Sequence, residues 1–95
     1  KMVVAVCTLT LEIDRSNSLK EKRRVVKSVI ARIHNQFNVS VAEVDSQDLW
    51  QSAVLGIACV SNDPARAHGV LEKIVQMVGN SRFDARIADY EIEIL

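Results

Sequence analysis

Leu9, Leu11 and Ile13 alternate with Thr8, Thr10 and Glu12, a period of two that predicts a strand over residues 2–13 with its odd positions turned to the core. Asp14 to Asn17 is short and polar and turns the chain. Ser18 followed three residues later by Glu21 is a capping-box signature, placing a helix N-cap at Ser18. From there Leu19, Val26, Ile30, Ile33 and Phe37 form one apolar stripe of a core helix reaching about Phe37, and Asn38 is a stop signal.

The β-branched run Val39 to Asp45 predicts a second strand, and Ser46 to Gln51 breaks the pattern. From Ser52 to Ser61 the chain is apolar at almost every position, which predicts a central strand forming a hairpin with the one before it. Asp63-Pro64 places an N-cap and a proline at N1. Ala67, Val70, Leu71, Ile74 and Val78 then form a second helical stripe, with Gly79 expected to end it. After a loop over residues 80–84, Tyr90, Ile92 and Ile94 alternate with Asp89, Glu91 and Glu93 as a last strand.

The order βαββαβ predicts a single α+β domain over residues 1–95, a ferredoxin-like sandwich with two helices on one face of a four-stranded antiparallel sheet. Such a sheet has a second face that no helix covers. Val4, Val6, Val54, Ala58 and Val60 are its apolar candidates, and a contiguous apolar patch on a small domain marks a partner, here a second copy in a homo-oligomer such as a dimer.

A composition of 48% hydrophobic and 25% charged residues excludes a disordered tail. No apolar run reaches the roughly 18 residues of a membrane span, and the N-terminus lacks the features of a signal peptide, so a cytoplasmic protein with no membrane partner is expected. Lys1 precedes Met2 and is left out of the site. Net charge is zero, but only by cancellation. Arg15, Lys20, Lys22, Arg23, Arg24, Lys27 and Arg32 stand against Glu21 alone between residues 15 and 36, a local +6, and the other five basic and eleven acidic residues sum to −6.

At roughly 100° per residue, Lys20, Arg23, Arg24 and Lys27 share about a third of the first helix, offset from its apolar stripe. Lys20/Arg24 and Arg23/Lys27 are like-charge i,i+4 pairs, each costing on the order of 0.2–0.5 kcal/mol, and cations near a helix N-terminus oppose its dipole. An external anion relieves both. Arg15, Lys20, Lys22, Arg23, Arg24 and Lys27 are therefore the candidate contacts to the phosphates of a nucleic-acid backbone, with no base readout. The competing readings are a solvated face whose stems cover apolar surface and an acidic protein partner.

The segments Ser18-Leu19-Lys20-Glu21-Lys22-Arg23-Arg24, Phe37-Asn38-Val39-Ser40-Val41-Ala42-Glu43-Val44, Gln47-Asp48-Leu49-Trp50-Gln51 and Ser61-Asn62-Asp63 resemble the bacterial YlxP-like family, a domain of unknown function. The similarity is looser after Gly79. The resemblance implies a ferredoxin-like fold, a bacterial cytoplasmic setting and, through the genes that neighbour such genes, an association with ribosome maturation and translation. It supplies no catalytic residues.

The P-loop, the dinucleotide-binding glycine fingerprint, the nucleophile elbow and zinc-ligand spacings are missing, and three glycines occur in the whole chain, so neither an enzyme nor a cofactor is expected. Acylphosphatases share the element order, but Asp14-Arg15-Ser16-Asn17 has no counterpart to their glycine-rich phosphate loop. RNA-recognition modules carry stacking aromatics on their central strands, and the first and third strands here have none. Alternation places Glu43 and Asp45 on one strand face near Asp48 with no further oxygen ligand, so no metal site is expected. Cys7 and Cys59 read as buried free thiols, and His34 and His68 as solvent-facing helix residues. Trp50 reads as a plug on the end of the core in preference to an exposed contact.

Overall fold

The computed structural model describes residues 1–95 and has the order β1 (Val3–Glu12), α1 (Leu19–Gln36), β2 (Ser40–Asp45), β3 (Ser52–Ser61), α2 (Pro64–Asn80) and β4 (Arg86–Ile94). The strands form one antiparallel sheet in the order β2-β3-β1-β4. This is the ferredoxin-like α+β arrangement expected from the patterning.

Alternation along β1 and β3 sends Ala5, Cys7, Leu9 and Leu11, with Ala53, Leu55, Ile57 and Cys59, into a core closed by Val26, Val29 and Ile33 of α1 and by Leu71, Ile74 and Val78 of α2. Burying each of the larger aliphatic side chains contributes about 1.5–3 kcal/mol, so the two helices are held mainly by this layer. Leu19, Ile30 and Phe37 are only half-buried, and Val29 takes a central place in the α1 stripe.

Local signals account for the helix starts. Ser18 Oγ accepts from Glu21 N–H (3.1 Å), while Glu21 Oε2 accepts from Asn17 N–H (2.7 Å), one residue before the cap. Asp63 Oδ1 accepts from Ala65 N–H (3.0 Å), with Pro64 in the first turn. Gly79 does not end α2. The helix continues to Asn80, and the cap is Ser81, whose hydroxyl donates to Met77 O (2.6 Å) and whose N–H donates to Val78 O.

Two irregularities shift the pattern read from sequence. β4 begins at Arg86, ahead of the alternation that starts at Asp89, and an extra residue near Ala88, with Ile87 opposite Leu11 and Asp89 opposite Thr10, breaks the period between them. On β2, Val44 is the extra residue: Glu43 opposes Leu55 on the helix side, whereas Asp45 opposes Val54 on the open side. Glu43 and Asp45 are thus on opposite faces, not one.

Candidate functional site

Val26, Val29 and Ile33 turn one side of α1 to the sheet, which leaves Lys20, Arg23, Arg24 and Lys27 exposed on the other. Arg15, in the turn before the helix, is exposed as well. None of these five is within ion-pairing distance of a carboxylate. The ion pairs of the chain are Lys22–Glu43, His68–Glu72, and Arg86 with Glu12 and Asp14. No carboxylate therefore pairs directly with any of the five.

Arg15 and Arg24 come together across a cleft of about 290 Å³ whose wall also carries Ser16, Glu21 and Asp84. An adjoining hollow brings Arg82 of the α2–β4 loop beside Arg24 and Ser28. Arg32 lies over the ring of Phe83, 5.7 Å from its centroid, and so fastens this loop to α1. Arg82 extends the positive surface. It sits in an aperiodic loop far along the chain from α1, so no sequence signal singled it out.

Lys22 does not belong to this surface. Its side chain has no exposure: Nζ lies 2.6 Å from Glu43 Oε2 and donates to the carbonyls of Ser46 (2.6 Å) and Gln47 (3.3 Å). The carboxylate oxygen is out of line for a directed hydrogen bond to the ammonium, so that contact is chiefly Coulombic. On the helical wheel Lys22 falls with Val26, Val29 and Ile33, which points it at β2 and away from any phosphate. Ser46 adopts the left-handed backbone conformation (φ 63°), on the order of 1 kcal/mol unfavourable, and its N–H donates to Asp45 Oδ1 (2.7 Å).

Trp50 is not a plug. It is 52% exposed and Leu49 beside it 54%, and both lie outside the core. Ile13, Leu11 and Ala53, at or beside the ends of β1 and β3 nearest the loop, are buried without them. The β2–β3 loop that carries them is braced: Leu49 N–H donates to Ser46 O, Ile13 N–H donates to Gln51 O (2.9 Å), and the Gln51 side-chain amide donates to the carbonyls of Asp14 (3.3 Å) and Ser16 (3.2 Å).

Val4, Val6, Val54, Ala58 and Val60 lie on the sheet face away from the helices, Val4 opposite Val60 and Val6 opposite Ala58. Val60 is 65% exposed. Gly56 leaves a shallow hollow between Ala42, Ala58 and Thr8, roofed at one side by Val44; a Cβ at residue 56 would lie 2.9 Å from Val44 Cγ1. Directly opposite residues share a face, so Glu93, Glu91 and Asp89, paired with Val6, Thr8 and Thr10, border this surface with an acidic column. The basic helix and the acidic column thus lie on opposite sides of the sheet.

Cys7 and Cys59 are buried free thiols. Burial pushes the Cys7 thiol up to about 11, the Glu72 charge adds to this, and a backbone hydrogen bond at Glu91 partly opposes it. His34 and His68 are exposed on their helices. No helix is long and apolar enough to cross a membrane.

An open antiparallel sheet with two helices on one face, one of them bearing uncompensated cations, defines a small ferredoxin-like α+β domain. Residues 4–92 match the family described as "Protein of unknown function (DUF503)", and the chain belongs to that family. It is 40% identical over 63 residues to "Uncharacterized protein YlxP" of Bacillus subtilis (strain 168), covering 66% of this chain and 68% of that protein. Among solved structures it is similar to an amidase of the hydantoinase/carbamoylase family from Burkholderia phymatum. There the TM-score is 0.56 and the identity 14% over 99% of this chain, which spans only 28% of that enzyme's chain. That likeness is one of fold.

Proposed function

We propose that this chain is a non-enzymatic accessory protein of the bacterial cytoplasm that binds the phosphate backbone of RNA, in a ribosome-associated setting, through the exposed cations of its first helix. The observation that carries the reading is the absence of any carboxylate partner for Arg15, Lys20, Arg23, Arg24 and Lys27, while Lys22 and Arg86 both have one. Five unpaired cations on one side of a neutral protein form a field that attracts a polyanion and costs the helix its like-charge repulsions until one arrives. Contacts of this kind hold phosphates without reading bases.

Ultraviolet crosslinking in cells followed by sequencing of the attached RNA tests it. Ribosomal RNA is the expected crosslink; recovery of no RNA contradicts the reading.

The open sheet face favours a second reading, a homo-oligomeric interaction module with no nucleic-acid role. Its support is the run of Val4, Val6, Val54, Ala58 and Val60 with the hollow over Gly56, an apolar surface that nothing in the chain covers.

A further inference from the structure

Trp50 is the only tryptophan in the chain, and its exposed ring contributes nothing to the core. A large aromatic left half in water at a hairpin end is unfavourable for solubility and is not required by the turn, since the Ser46–Leu49 backbone hydrogen bond and the Lys22 and Gln51 anchors form without it. Those anchors also fix where the ring is presented. Gln51, its chain neighbour, clasps the carbonyls on either side of Arg15, and Lys22, which holds Ser46 and Gln47, shares its helical turns with Lys20, Arg23 and Arg24. The Gln51 clasp thus sets the braced, exposed aromatic at the end of the molecule where Arg15 stands and where α1 begins with Lys20, Arg23 and Arg24.

An aromatic face at the same end of a domain as exposed cations suits one chemistry closely: an unpaired base with its phosphate backbone. The ring stacks on the base, the guanidinium and ammonium groups hold the phosphates, and every base offers a face, so the contact tolerates any sequence. Duplex bases are already stacked and present no free face. The remaining carboxylate of the loop, Asp48, is exposed and unpaired, and it opposes binding only through a screened charge.

We propose that Trp50 is a stacking platform for a base of single-stranded RNA whose phosphates lie on the cations of α1. This rests on the phosphate-binding reading above and adds to it the strandedness of the ligand.

Because the chain has a single tryptophan, its intrinsic emission reports on that residue alone. Titration with a single-stranded oligouridine, followed in parallel by anisotropy of the end-labelled RNA, is expected to quench the emission with the same midpoint as the anisotropy change. Trp50→Ala weakens binding by about 5- to 150-fold. Trp50→Phe keeps most of the affinity, and neither variant changes the salt dependence. Inorganic polyphosphate, which has charge but no bases, binds without quenching. RNA binding with normal salt dependence, unchanged emission and full affinity in Trp50→Ala overturns the stacking role while leaving the phosphate reading standing. So does equal affinity for a duplex of the same length. Salt-insensitive loss of a co-purifying protein in Trp50→Ala, with RNA binding intact, overturns it in favour of a protein contact. No binding of any polyanion removes both.

Discussion

Lys22 Nζ and Glu43 Oε2 lie 2.6 Å apart with the lysine side chain fully buried, so one of the basic residues of α1 serves as an internal strut between the helix and the edge strand β2. The same ammonium satisfies the carbonyls of Ser46 and Gln47 and so also shapes the loop that presents Trp50.

Removing either partner of a buried pair leaves the other charge uncompensated, at about 3–5 kcal/mol. Glu43→Gln strands the fully buried Lys22 ammonium and is expected to lower the unfolding free energy measured in urea by an amount in that range, and Lys22→Met by less, because the Glu43 it leaves behind retains some access to water. The salt dependence of RNA binding by folded Lys22→Met should equal that of the parent protein. A reduced slope would mean that Lys22 reaches phosphate.

Helix starts are the second place where a single atom matters. Ser18→Ala removes the acceptor for Glu21 N–H, and Asp63→Ala the acceptor for Ala65 N–H; each should cost about 1 kcal/mol in chemical denaturation. Replacing Ser28, which caps nothing, serves as the comparison and should change stability by a few tenths of a kcal/mol.

These caps were also what the sequence showed best, because capping and helical stripes depend on residues within a turn of one another. The uncovered valine face followed from simple alternation on β1 and β3. What the sequence concealed depends on distant partners or on broken periods. Lys22 lies in register with Val26, Val29 and Ile33, a position that signals burial, but its polar identity hid this and Glu43 stands on another element. The extra residue at Val44 breaks the alternation that places Glu43 with Asp45, and the one near Ala88 hides the first residues of the last strand, which starts at Arg86, ahead of the alternation from Asp89. Trp50 and Arg82 sit in loops, where no periodicity assigns a side chain to core or solvent.

The raised pKa of Cys7 has a consequence in alkali. An unfolded thiol ionises near 9 and the folded one near 11, so the folded chain holds its proton more tightly in between. The stability this contributes is fully present below pH 9 and is lost as pH rises from about 9 to 11, by an amount of order 1–3 kcal/mol. Thermal melts of Cys7→Ala across that range should show a smaller alkaline loss than the parent protein. At neutral pH the native Cys7 thiol should react with a disulfide reagent far more slowly than the denatured one.

If the open sheet face joins copies, sedimentation velocity should show an oligomer that Val6→Asp or Val54→Asp dissociates, with the fold retained because both positions lie outside the core. A monomer at high concentration contradicts that second reading.

The salt dependence of binding to a short single-stranded RNA tests phosphate contact by α1 most directly. Each phosphate contact adds about −0.7 to the slope of log affinity against log salt, so the five unpaired cations predict a slope near −3.5. Exchanging Arg23, Arg24 and Lys27 for Gln should bring it to about −1.4. An unchanged slope in that variant, or binding by the parent protein that salt does not weaken, would mean that the cations of α1 do not hold phosphate.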